Sequence, residues 1–165
     1  AVSTDQNKSF ELNELLLETL DGQVLSQGKL TFSEFINWQG SSTISHLDPS
    51  VLWPELVANI NGVVSTQANN SQGIWKAKLN KLDINGQWQG YPLSVSGNVD
   101  FHQNNGLQLQ ALSLKNADNT LLLNGGVSKE QELGIKFMLD AADLSNTLPQ
   151  LGGTINLVGN LSSQK

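Results

Sequence analysis

The chain has 165 residues, long enough for one domain with a sizeable core. Apolar residues make up 38% of it but charged residues only 15%, against roughly 25% in ordinary globular domains, and the net charge is −6 with every basic residue a Lys. No basic stripe is present to meet a phosphate backbone or an anionic membrane surface, so nucleic acid is not expected as a partner, and the absence of Cys excludes disulfides, thiolate metal sites and a Cys nucleophile.

The elements follow a period of two. Glu11 to Leu20 fits a helix through Leu12, Leu15, Leu16 and Glu18, but the rhythm around it and the Asp21-Gly22 turn favour a strand. Leu30-Thr31-Phe32, with Trp38 after it, reads as strand. Asp48-Pro49-Ser50-Val51-Leu52-Trp53 breaks the rhythm: an N-cap residue, Pro at the first helical position and Pro54 as the stop predict a single helical turn over 48–53, with Trp53 anchoring it to the sheet. Alternation resumes at Leu82–Asn85 and Leu93–Ser96, stopping at Gly86 and Gly97, and continues at Val99–His102, Leu107–Gln110, Leu112–Lys115, Leu121–Leu123 and Ile135–Asp140. Turns are expected at 103–106 and 116–119. Asp143 to Leu148 repeats the helical turn before Pro149, and Ile155-Asn156-Leu157 closes the series. Asn-Gly pairs at 61–62, 85–86, 105–106 and 124–125 predict hairpin turns. The fold class expected is all-β.

The two helical turns belong to a longer self-match. At a shift of 95 residues, Asp48/Asp143, Ser50/Ser145, Pro54/Pro149, Leu56/Leu151, Ile60/Ile155, Asn61/Asn156 and Val63/Val158 are identical without a gap. Such a repeat points to a stacked, solenoid-like architecture with units of about 10–66 and 107–161. No linker divides residues 1–165, which are expected to be a single fragment of a longer protein.

The chemistry for catalysis is sparse. His46 lies near Asp48, but sequence neighbours on a strand point to opposite faces and no nucleophile turn accompanies them. His102 occupies an exposed polar slot. Asp83, Asp100, Asp118 and Asp140 lack metal-loop spacing, and no Gly-rich phosphate loop opens a helix, so no enzyme, metal or cofactor is expected. Trp38, Trp75 and Trp88 could form a carbohydrate platform, although packing on a strand face or sheet edge accounts better for them. That leaves the apolar set of the alternation: Leu82, Ile84, Leu93, Val95, Val99 and Phe101, then Leu107, Leu109, Leu112, Leu114, Leu121 and Leu123, then Ile135, Phe137, Leu139, Ile155 and Leu157. Such a face is ordinarily the core of a closed sandwich. It becomes a binding surface only where it stays open.

The cassette Leu47-Asp48-Pro49-Ser50-Val51-Leu52-Trp53-Pro54-Glu55-Leu56, followed by Ile60-Asn61-Gly62, resembles the recurring unit of the TamB/AsmA-like superfamily of bridge-like lipid transfer proteins. Leu144 to Ile155 resembles the next unit, departing at Leu144 and Leu148 where the first has Pro49 and Trp53. The likeness runs from about Phe10 to Leu161. It implies a curled β-sheet trough, with the seventeen residues above lining a groove for phospholipid acyl chains. It also implies a periplasmic position in a protein anchored in the inner membrane of a Gram-negative bacterium, a part in outer-membrane protein assembly, and a TamA-like outer-membrane barrel as partner through a region outside this fragment. A chaperone-like scaffold that holds outer-membrane protein strands by strand addition is the alternative.

Overall fold

A computed structural model describes residues 8–163 as one antiparallel sheet of ten strands in strict sequence order. They are β1 (Lys8–Thr19), β2 (Gly22–Phe32), β3 (Ile36–Leu47), β4 (Ala58–Ser71), β5 (Ile74–Trp88), β6 (Tyr91–His102), β7 (Gly106–Asn116), β8 (Asn119–Val127), β9 (Leu133–Ala141) and β10 (Ile155–Ser162). Neighbours are joined by direct connections, β1 and β10 form the two edges, and the sheet does not close. Glu11 to Leu20 is strand through Thr19, as the surrounding rhythm predicts.

The strands are longer than the alternation suggests, because Gly86 and Gly97 do not end them. Gly86 lies inside β5, opposite Ile60 of β4, where the Asn59 carbonyl oxygen comes within 1.9 Å of the place a Cβ would occupy. Glycine here permits close backbone approach; it does not terminate pairing. Three of the four Asn-Gly pairs are likewise inside strands, and only 105–106 stands at a turn. Two of them hold bulges in the strand alongside. His46 and Ala111 adopt left-handed backbone (φ 57° and 49°), and their N–H groups donate to Asn61 Oδ1 at 3.0 Å and Asn124 Oδ1 at 2.8 Å. An Asn side chain thus replaces the ladder bond that a bulge loses.

Apart from the slip between Ile44 and Leu47 at the His46 bulge, the register slips are aligned. They fall between Leu12 and Leu15, Ser65 and Thr66, Leu79 and Leu82, Ser96 and Asn98, and Leu109 and Leu112. Pairing connects those sites along one line that crosses the strands. A bulge bends its strand and raises the local twist, so a line of bulges creases the sheet into a trough whose axis runs across the strands.

Both helical turns form as one turn of 3-10 helix, Pro49–Val51 after β3 and Leu144–Asn146 after β9. The shift of 95 residues therefore spans six strands, and the expected units fall on β1–β4 and β7–β10. Trp53 does not anchor its turn: the indole is 52% exposed. Hydrogen bonding holds this segment instead. The Asp48 carboxylate accepts from the N–H of Ser50 at 2.9 Å, and Asp48 N–H donates to the Leu20 carbonyl at 2.8 Å.

The Asp143 carboxylate accepts in the same way from the Ser145 N–H (2.9 Å) and hydroxyl (2.7 Å). Hydrogen bonds from Ser50 and Ser145 hold both caps below the ordinary Asp value of 3.8. A depressed folded-state pKa stabilises the fold above the unfolded value, and that contribution is lost as pH falls through the folded one. Thermal midpoints measured downward from about pH 4 should therefore fall more steeply for the native chain than for the Asp48→Asn, Asp143→Asn double variant.

No second layer covers the sheet. Among the described residues the buried apolar side chains are Ala58 and Ala141 alone. The accessible surface is 10777 Å², whereas a compact monomer of this mass would expose about 8000 Å².

Candidate functional site

Cross-strand partners lie on the same face of a sheet, so the register decides which apolar residues belong together. One row passes through every strand: Leu17, Val24, Ile44, Gly62, Ile84, Val95, Leu114, Leu121, Leu139 and Leu157. Beside it run Leu82, Leu112, Leu123 and Phe137, and across the crease Val99, Leu109 and Ile135. Phe101 pairs with Leu107 near one rim; Leu93 and Ile155 stand near the other. All seventeen residues of the alternating set thus share one face. The run Leu121-Leu122-Leu123 is resolved by its pairing: Leu121 and Leu123 are on this face and Leu122 is on the other.

Among the described residues the only Lys, Asp or Glu on this face is Lys8, at the outer end of the edge strand β1. Charge lies behind it. Glu11, Lys29, Gln39, Gln67, Lys78, Asp100 and Gln108 form a cross-strand row on the outer face. Within it Lys29 meets Glu11 at 2.7 Å and Lys78 meets Asp100 at 3.6 Å. Both pairs are solvated and add little to stability. The outer face is not polar throughout, because Leu122, Met138 and Val158 pair in succession there and Val158 is 72% exposed.

The alternating set begins at Leu82, but the trough face begins at β1. Leu15, Leu17, Val24, Ile44 and Val64 extend it, hidden in the sequence by Leu16 and Leu25 on the opposite face. Trp38 also belongs to it. Its ring lies across Gly28 and Gly40, within 2.3 Å and 2.4 Å of where their Cβ atoms would stand, and its Nε1 donates to Thr66 Oγ1 at 3.0 Å. Two glycines leave the floor bare and one indole fills it. Trp88 donates from Nε1 to the Thr147 carbonyl at 3.0 Å, while Trp75 is exposed at the start of β5.

The polar candidates are structural. His46 sits at the β3 bulge, and no hydrogen bond joins its ring to Asp48. His102 is half-buried, not exposed as its slot suggests, since Nδ1 accepts from the Asn104 N–H at 3.1 Å and holds the β6–β7 turn. No three His, Asp or Glu side chains converge among the described residues.

The sequence matches the family described as TamB, N-terminal domain, over residues 2–164. The chain belongs to the TamB family. It is 23% identical over 145 residues to the translocation and assembly module subunit TamB of Haemophilus influenzae, an alignment covering 87% of this chain and 11% of that protein. The TamB-family segment described here thus spans about a tenth of the length of that curated relative. No solved structure matches it. Membership accords with the open, single-sheet architecture.

Proposed function

We propose that this segment is a stretch of a lipid conduit in the periplasm, part of an inner-membrane-anchored protein, that holds phospholipid acyl chains in transit between the two membranes. The observation that carries the reading is the charge-free row of apolar partners through ten strands on a face that no second layer of strands or helices covers. At a strand spacing of about 4.8 Å the row is roughly 43 Å long, greater than the ~30 Å hydrocarbon thickness of a bilayer. Each methylene drawn from water is worth about 0.8 kcal/mol, and the wall offers no directional bond to stop sliding. Exposed apolar surface on this scale marks a site that expects an occupant. The reading includes no chemical step. A role in outer-membrane protein assembly, with a TamA-like barrel engaged by a region beyond this segment, completes it.

Mass spectrometry of the chain purified from bacterial envelope is expected to find bound phospholipid, reduced when Leu109 is replaced by Glu. Undiminished phospholipid in that variant would count against a groove at β7. A second reading, strand addition of outer-membrane protein segments, is favoured by the unpaired edges of β1 and β10. Crosslinkers placed along those edges discriminate: protein adducts support the second reading and lipid adducts on the inner face support the first.

A further inference from the structure

The connection from β9 to β10, residues 142–154, does not stay at the tip of its own hairpin. It reaches back over the ends of β8, β7 and β5 on the trough face, and Thr147 ties it down. The Thr147 carbonyl accepts from Trp88 Nε1 at 3.0 Å; its hydroxyl donates to Asn116 Oδ1 and accepts from Asn119 Nδ2, both at 2.9 Å. Asn119 also donates to the Asp143 carbonyl at 2.6 Å and accepts from the Asp143 N–H at 3.2 Å. Asn116 and Asn119, 0% and 5% exposed, are the buried polar side chains among the described residues. Asn116 Nδ2 also donates to the Pro92 and Trp88 carbonyls at 3.2 and 3.4 Å, so this side chain ties the end of the sheet to the strap, whereas the side-chain bonds of Asn119 all go to the strap.

Beneath Thr147 is a cavity of about 300 Å³ walled by Ile84, Trp88, Leu93, Val95 and Leu114. Ile84, Val95 and Leu114 are members of the long apolar row, so the cavity opens from the trough itself. The only polar side chains at its margin besides the indole are Asn116 and Thr147, and these are bonded to each other. A polar ligand would find no free donor or acceptor; a hydrocarbon chain would need none. The strap contributes little apolar cover of its own, for Leu148 and Leu151 are 44% and 49% exposed. It is fastened by hydrogen bonds between neutral groups and can lift without unpairing a strand.

We propose that residues 142–154 are a lid over a side chamber of the trough, that the chamber takes the terminal segment of an acyl chain, and that the lid opens by release of Thr147. The proposal rests on the lipid reading for its occupant, but the lid can be tested separately. Amide exchange at Asp143, whose N–H donates to Asn119 Oδ1 of the sheet, is expected to be about tenfold faster than at Leu114 and Leu121, and to accelerate about tenfold further in Thr147→Ala. The neutral dye 1-N-phenylnaphthylamine should bind Thr147→Ala about fivefold more tightly than the native chain, as expected when a competent state becomes more populated.

The chain has no Cys, so Asn119→Cys with Thr147→Cys gives a lid that oxidation shuts and reduction frees, with dye bound only in the reduced form. Equal exchange rates in the lid and in β7–β8, or dye bound equally well by the native chain and Thr147→Ala, would overturn the lid; the single variant decides the matter even where the double variant does not fold. Native chain purified without phospholipid, together with dye binding governed by the lid, would overturn the acyl occupant and the conduit reading while leaving the lid in place.

Discussion

Phe137→Glu should strip phospholipid from the trough while the neighbouring Met138→Glu leaves it bound. Phe137 is in β9 on the trough face, and its ring lies over Gly159 of β10, whose Cβ, were there one, would come within 2.7 Å of the ring. A carboxylate in its place must either remain hydrated or face hydrocarbon unpaired, at several kcal/mol. Loss of the ring removes a further ~2 kcal/mol of apolar surface. Together these exceed what a few contacting methylenes contribute, so bound phospholipid should fall by about tenfold or more. Met138 stands one residue along, on the outer face and 41% exposed, and carries the same added charge without meeting the lipid. Quantitative mass spectrometry of the two purified variants makes the comparison, and equal loss from both would show that charge acts without regard to face.

The second large effect concerns the backbone. Gly86→Ala should cost about 3 kcal/mol or more, because the added Cβ meets the Asn59 carbonyl oxygen at 1.9 Å and neither backbone can move without breaking the β4–β5 ladder. Gly73→Ala at the β4–β5 turn has φ +77° but nothing within 4 Å, so it should cost about 1 kcal/mol from backbone strain alone. Urea unfolding read by Trp fluorescence measures both, and similar losses would mean that Gly86 is an ordinary turn glycine.

That contrast shows where the residue pattern was sufficient and where it was not. Alternation identified the sheet, and the charge-free set from Leu82 to Leu157 proved to share one face, because a period of two on an open sheet is a direct record of side-chain direction. The Asp-x-Ser turns were equally legible, since capping is local chemistry. Asn-Gly misled because the same freedom that builds a hairpin also supports a bulge, and only the partner strand decides between them. The N-terminal half of the trough was obscured by Leu16 and Leu25, which place apolar residues on both faces and erase the alternation. Asn116 and Asn119 read as turn residues and stand as paired strand ends on either side of Ala117-Asp118. Their burial depends on a strap that returns from β9, and pairing at that sequence distance leaves no periodic trace.

The most direct test of the central claim is a photocrosslinking scan in living cells, with benzoylphenylalanine placed singly along the long row and at outer-face neighbours. The pairs are Ile84 with Asp83, Leu114 with Ser113 and Leu157 with Asn156. The trough predicts phospholipid adducts at Ile84, Leu114 and Leu157 and none at the partner of each. Adducts distributed without regard to face, or confined to protein at the inner positions, would contradict it.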